Sequence, residues 1–349
     1  MDKNTVYGLI LMALVFFGFM YFTSPDPAAV EEQAQTEQTV ADNTPATAAL
    51  FSDTEREWLA KNILSNGTPV TTDNGATAVA LNSGDVHLTL AGDSIYGTVA
   101  VNGKDLQWKD IAANNLNAMT AAEHTAAIDK VRALSNSIGR YGRFATFLTG
   151  DHKTITLENE VIKLDLSSKG GSVTRAELKK YDTEYDPDET KKVKKKVVMF
   201  DKESNQMSFT LPLPQEIETS DLFFTPREVT DSTVLMALDL SADAFWGIRY
   251  TLPKGGSYMV KMEIVQKNMA PIVQSNVRKL GVNWHQDIHR QEKGRMFEER
   301  NSRLAYKFLG GSVEEMSESQ NKSKERQQKL KWIAFKNQFF SSVLIADKN

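Results

Sequence analysis

The pattern of apolar and polar positions changes character three times along this chain. From Val6 to Phe22 there is no charged residue. Together with Thr5 and Thr23, this run makes about 28 Å of helix at 1.5 Å per residue, close to the ~30 Å hydrocarbon core of a bilayer. Its many Leu, Ile, Val and Phe residues favour membrane insertion by roughly 3 to 6 kcal/mol in sum. Tyr7 and Tyr21 stand near its two ends, where amphipathic rings prefer the interface. A cleaved leader calls for a small-x-small site, whereas this run ends in Met20-Tyr21-Phe22 with Ser24-Pro25 just beyond. The expectation is an uncleaved anchor over residues 1–23. Lys3 and the terminal amine, set against Asp2, give a slight positive bias before the helix and place the N-terminus inside.

Ser24 to Ala49 holds Ala, Thr, Gln, Glu and three prolines, with almost no large apolar side chain. Such a segment cannot offset its ordering entropy, so residues 24–50 are expected to be a disordered tether.

Globular patterning begins at Phe51. Ser52-Asp53-Thr54-Glu55 fits a capping box, with Trp58, Leu59 and Ile63 at helical spacing and Gly67 as a stop. Val86, Leu88 and Leu90 alternate as in a half-buried strand, and Val99 and Val101 lead into an Asn102-Gly103 turn. A long helix is expected from Thr120 to about Phe147, capped by Thr120 and Glu123 and interrupted at Gly139 and Gly142. Residues 51–150 thus read as a mixed α/β region.

After Asp151 the period shortens to two. Ile155 and Leu157, then Ile162, Leu164 and Leu166, alternate up to a Gly170-Gly171 turn, and Val173, Ala176 and Leu178 return. Further strands are expected at Val197–Phe200, Met207–Leu211, Val234–Leu240, Ile248–Leu252, Tyr258–Val265 and Val277–Trp284, with Ser317–Lys331 as a loop or frayed helix. Many short strands with few helices predict a mainly β antiparallel sandwich over residues 151–349.

Composition changes this picture little. Hydrophobic residues make up 41% and charged residues 25%, and a net charge of −4 gives no support to a nucleic-acid partner. The absence of cysteine removes thiol catalysis, disulfides and thiolate metal sites.

Candidate chemistry is sparse. Gly92-Asp93-Ser94-Ile95-Tyr96 fails the nucleophile-elbow pattern at its last position. His285 and His289 are four apart, a spacing suited to a helix, but they fall in strand and loop, and Gln286 stands where a zincin has Glu. A basic cluster of Lys191, Lys192, Lys194, Lys195 and Lys196 reads as a solvated hairpin that blunts a sheet edge, with anionic lipid as the alternative. Trp332, Phe335 and Phe339 follow i, i+3, i+7, as on a helix face packed on the sandwich's own core, with a partner or the bilayer as the alternatives. No catalytic, cofactor-binding or metal-ligating residue is assigned.

Three stretches carry a resemblance. Glu158 to Tyr181, an alternating strand, a Gly-Gly turn and a strand running into Leu-x-x-Tyr, resembles a signature of the YidC insertases' periplasmic domain. Met1–Gly8 resembles the N-terminus of Bacteroidetes-like members. Trp332–Phe340 resembles a late Trp-aliphatic-Ala-x-x-x-Gln-aromatic-Phe helix. The resemblance implies a β-supersandwich of galactose mutarotase type behind one transmembrane helix in the inner membrane, with the bulk of the chain in the periplasm. It implies insertion of nascent membrane proteins, alone or with Sec translocon subunits. It also implies five membrane helices and an arginine-bearing groove beyond Asn349, so this chain would hold the anchor, which contacts lipid through Val6 to Phe22, and the soluble domain. A mutarotase-like fold also raises a carbohydrate epimerase or sugar-binding module, which needs a His and a carboxylate facing one sugar. His87, His124, His152, His285 and His289 are the only histidines to supply it. An anchored scaffold is the third class.

Overall fold

A computed structural model describes residues 51–72, 75–185, 195–211, 213, 216–270, 279–317 and 323–347. The expected anchor Val6–Phe22, the tether after it, and Lys191, Lys192 and Lys194 lie outside the described residues. Among the described residues no helix is long and apolar enough to cross a membrane. The chain divides at residues 48/49, and everything below concerns the second unit.

Helix α1 (Asp53–Asn66) starts where expected. The Ser52 side chain accepts from the Glu55 amide, the Glu55 carboxylate accepts from the Ser52 amide, and the chain leaves the helix at Gly67. Leu59 and Ile63 face the core, whereas Trp58 of the expected stripe is 41% exposed. Strands β1 (Thr68–Thr71), β2 (Thr77–Ser83), β3 (Val86–Ala91), β4 (Ser94–Val101) and β5 (Lys104–Gln107) form an antiparallel meander in chain order. The β4–β5 turn needs positive φ at two successive residues, which Asn102 (52°) and Gly103 (76°) supply.

After the short helix α2 (Trp108–Ala112) comes α3 (Ala121–Tyr141), again with a full capping box, from Thr120 and Glu123. Gly139 does not interrupt it; the helix ends at Gly142, and a 3₁₀ stretch continues to Phe147. Ile128, Val131, Leu134 and Ile138 of α3 pack with Leu59 and Ile63 of α1 on the Leu81, Leu88 and Val99 face of the meander. Burying each such side chain contributes about 1.5–3 kcal/mol, so this stripe holds the helices to the sheet.

The remainder is antiparallel β. Strands β6 (Thr154–Glu158), β7 (Ile162–Ser167), β8 (Val173–Asp182) and β9 (Lys196–Asp201) form one sheet in chain order. A second contains β10 (Asn205–Leu211) between β11 (Ile217–Glu218) and β16 (Gly281–Gln286). A third runs β12 (Thr225–Arg227), β13 (Thr233–Asp239), β14 (Phe245–Thr251), β15 (Lys261–Lys267). Val234 to Leu238 of β13 are buried without alternation, the mark of a strand covered on both faces. One core cluster joins these three sheets, including Leu164 and Leu178, Phe209, and Ile248 with Trp246.

The fourth sheet is where sequence reasoning fails. Helix α4 (Arg295–Asn301) precedes β17 (Arg303–Phe308), β18 (Val313–Ser317), β19 (Leu330–Lys336) and β20 (Ser341–Ile345), in the order β18-β17-β19-β20. Trp332–Phe340 is therefore not a helix. It is strand β19 and a turn, because Ala334 and Ile333 pair with Ala305 and Tyr306 of β17 on one side and with Val343 and Leu344 of β20 on the other. At a period of two, Trp332 and Phe335 point to opposite faces, and Phe339 lies in the turn, 64% exposed. Two strand limits also shift: β15 starts at Lys261 rather than Tyr258, and β16 starts at Gly281.

Candidate functional site

The Gly-Gly signature turns out to be a structural junction. Ser168 is 1% exposed; its hydroxyl donates to the Asp151 carbonyl and accepts from the Lys153 amide. Gly170 and Gly171 have φ of 82° and 61°, and a Cβ on Gly171 would stand 2.8 Å from the Phe224 ring. Lys169 donates to the Asp221 carbonyl and lies 4.5 Å above the Phe223 ring. Its pKa is lowered by burial, against the opposing pull of Asp221. Tyr141, from the end of α3, donates to the Asp221 carboxylate at 3.2 Å, and its phenol pKa is raised, first by burial. The turn thus joins the helical part of the molecule to its β part.

Between these sheets lies an open groove of about 780 Å³. Its floor is the inner face of β7, β8 and β9 (Ile162, Leu164, Leu178, Phe200). Trp284 and Gln286 of β16 and Phe339 to Leu344, running into β20, form its walls. Tyr181 and Phe340 meet edge to face at 5.4 Å across one end. Gln286 donates to the Met199 carbonyl and to the Ser342 hydroxyl, at 3.0 and 2.9 Å, fastening β16 to β9 and β20. Asp182 and Glu292 are the charged residues of the lining, and no histidine is among it. The lining is mostly apolar.

A second groove of about 790 Å³ is polar, lined by Asp287, His289, Arg290, Glu298 and Arg303 among others. Its groups are already committed to the fold. Glu298, 3% exposed, accepts from the amides of Gln291 and Glu292 and from Asn337 Nδ2. His289 Nε2 shares a 2.8 Å hydrogen bond with Ser204, and Arg290 stacks 4.2 Å from the Tyr185 ring.

The other histidines are dispersed. His87 is an exposed residue of β3; His124 is fully buried with Nε2 2.8 Å from the Ile111 carbonyl; His152 packs its ring on Phe223. His285 is exposed, 3.5 Å from Asp287. Among the described residues no three His, Asp or Glu side chains gather as a metal site. Gly92 to Tyr96 form the β3–β4 turn and the start of β4. Of the lysine cluster, Lys195 is exposed and Lys196 pairs with Asp182 at 2.7 Å on the outermost strand of its sheet. Trp332, Phe335 and Phe339 do not form one face; Phe335 meets Trp284 of a neighbouring sheet edge to face at 4.7 Å, and Phe339 lines the apolar groove. Sequence reasoning missed the apolar groove, because its walls come from strands 60 to 180 residues apart; the short apolar run Val343–Ile345, with Val343 and Ile345 exposed, was a local signal.

Comparison with known proteins places these features. Residues 154–349 match the family model of the YidC periplasmic domain. The membrane protein insertase YidC of Parabacteroides distasonis is 31% identical, over 100% of this chain and 44% of its own length. That of Porphyromonas gingivalis is 28% identical over 99% and 44%, and that of Phocaeicola vulgatus 36% identical over 57% and 31%. The chain therefore spans less than half the length of the curated relatives it matches. A galactose mutarotase-like protein from Lactobacillus casei overlaps 52% of this chain and 71% of its own at 14% identity, with a TM-score of 0.27, too low to bear on the fold. The family match runs over the sheets that build the groove and the Gly-Gly junction, and on that ground the chain belongs to the YidC family, of whose periplasmic domain it carries residues 154–349.

Proposed function

We propose that this chain is the anchored, extracytoplasmic part of a membrane protein insertase, and that its β-rich body docks and positions partners rather than catalysing a reaction. The observation that carries the reading is the family match over residues 154–349, with insertase relatives aligned along the whole chain. The groove supports the docking role: it is apolar, open and free of any histidine–carboxylate pair. Val6–Phe22 serves as the inner-membrane anchor with its N-terminus in the cytoplasm, followed by a tether over 24–50, a mixed α/β part over 51–150 and a periplasmic β part over 151–349. The β part fits a supersandwich of galactose mutarotase type. Nascent membrane proteins and Sec translocon subunits are the partners. A tether of about 25 residues confines the body near the anchor and raises its effective concentration at any membrane partner.

A β body outside the bilayer cannot lower the cost of carrying polar loops through hydrocarbon, since it places no hydrophilic surface there. The test is reconstitution into liposomes of this 349-residue chain beside the full-length polypeptide. The full-length protein should insert a test substrate and this chain should not. Insertion by this chain above the protein-free background would put the active surface within these residues.

A further inference from the structure

Among the described residues six aromatic side chains are exposed, and four of them, Tyr181, Tyr258, Phe297 and Phe339, come together at one end of the β part. They stand on four separate segments: the end of β8, the β14–β15 loop, α4 and the β19–β20 turn. Short contacts knit these segments into one rim. Tyr258 hydrogen-bonds with Tyr181, and Tyr181 meets Phe340 edge to face at 5.4 Å. The amides of Glu184 and Tyr185, just past β8, donate to the Gln291 carbonyl. The Gln291 amide and Asn337 Nδ2 both donate to the Glu298 carboxylate, which holds α4 beside the β19–β20 turn. Met259 and Met296, each 61% exposed, extend the rim next to Tyr258 and Phe297.

Clustered exposed apolar side chains mark an interaction surface, and the chemistry around them narrows the partner. The charges of the rim do not call for a charged partner, because they pair within it: Lys196 with Asp182, Lys293 with Glu184, and Arg295 with Glu299. What remains are aromatic and thioether tips with no directional demand beyond two tyrosine hydroxyls. A bilayer interface takes such tips, since amphipathic rings settle at headgroup depth and apolar ones at the acyl boundary. The tether adds a geometric argument. A flexible chain of about 25 residues spans on the order of 30 Å, so a body attached to it stays within reach of lipid. At that effective concentration, shallow contacts too weak to recruit a free protein hold the rim on the surface.

We propose that this rim docks the β part on the lipid surface, with Phe297 and Phe339 entering the interface, and so sets which end of the body faces the membrane. This rests on the anchor and tether proposed above. The contact is apolar, so it forms on neutral and anionic bilayers alike.

The test uses this 349-residue chain in phosphatidylcholine nanodiscs. The chain has no cysteine, so Phe297→Cys, Phe339→Cys and Met259→Cys each give a single site for an environment-sensitive fluorophore. Leu64→Cys, on α1 and 63% exposed, is the control. Nitroxide-labelled lipid should quench the three rim probes at least about twofold and leave the control unquenched. Adding Phe297→Ser and Phe339→Ser to the Met259→Cys chain should return its probe to the control value. Unquenched rim probes, equal quenching at position 64, quenching confined to anionic discs, or shielding that appears only on adding translocon would each overturn the proposal. All four leave the anchor reading standing so long as the chain stays with the disc. A chain that separates from the disc on gel filtration would remove the anchor itself, which distinguishes the two failures.

Discussion

The Tyr250 hydroxyl donates to the Gly171 carbonyl at 3.0 Å inside the core, linking β14 to the Gly170-Gly171 turn between β7 and β8. Tyr250 is 2% exposed, and burial raises its phenol pKa well above the ordinary range. Tyr250→Phe leaves that carbonyl without its partner and should cost about 1–2 kcal/mol. Gly171→Ala should cost more, about 2–4 kcal/mol, because it combines a positive φ with a clash against Phe224. Urea unfolding of both variants checks the order: a Gly171→Ala protein as stable as wild type would mean the junction is not rigid.

Glu55 gives a pH-dependent prediction. The Arg132 guanidinium at 2.7 Å and the Ser52 amide hold its carboxyl down at about 2. A depressed carboxylate contributes stability above its unfolded pKa and loses it as pH falls through the folded one. The contribution is therefore whole above about pH 5 and fades between pH 5 and 2. Both side chains are about one-third exposed, so Glu55→Gln should lower stability at neutral pH by only about 1 kcal/mol. Thermal melts of wild type and variant should converge as the pH approaches 2. A gap that stays constant across that window would mean the ion pair and cap do not carry the difference.

Local chemistry was the part of the fold most legible in the sequence. Ser52–Glu55 and Thr120–Glu123 are capping boxes that depend only on neighbours three residues apart, and both form as expected. The β6–β8 hairpins were equally clear, because Ile162, Leu164 and Leu166 alternate and Gly170-Gly171 marks the turn. The last sheet was not legible. Arg303 on β17, and Glu314 and Glu315 on β18, interrupt the apolar period, since they pair across strands (Arg303 with Glu315, Glu314 with Tyr306) instead of facing a core. Aromatic spacing at 332, 335 and 339 then suggested a helix, and only pairing with β17 and β20 decides for a strand. The groove needs that sheet in place, so it was invisible for the same reason.

Lys196 tests whether the basic cluster is more than a solvated edge. Its partner Asp182 is 2.7 Å away, with both side chains at least about one-third exposed. Lys196→Glu should cost under about 1 kcal/mol and leave membrane association unchanged in vesicle flotation. A marked loss of binding to anionic vesicles, with none to neutral ones, would assign the lysines to lipid contact.

The anchor proposed above sets a testable topology. Val6–Phe22 is the one apolar run of spanning length in this sequence, so residues from Ser24 onward should lie outside the cytoplasm. Protease added to spheroplasts should digest them. Protection there, with digestion only in inverted vesicles, would reverse the orientation.

The docking role itself is tested by deleting Asp151–Asp347 from the full-length protein and measuring two things in the same cells: co-purification with the Sec translocon, and insertion of a translocon-dependent substrate. The deletion should weaken co-purification at least about tenfold and slow insertion, while the remaining membrane segments stay folded and present at wild-type abundance. Unchanged co-purification together with unchanged insertion would contradict the account, because a body that positions partners cannot be removed without loss of either.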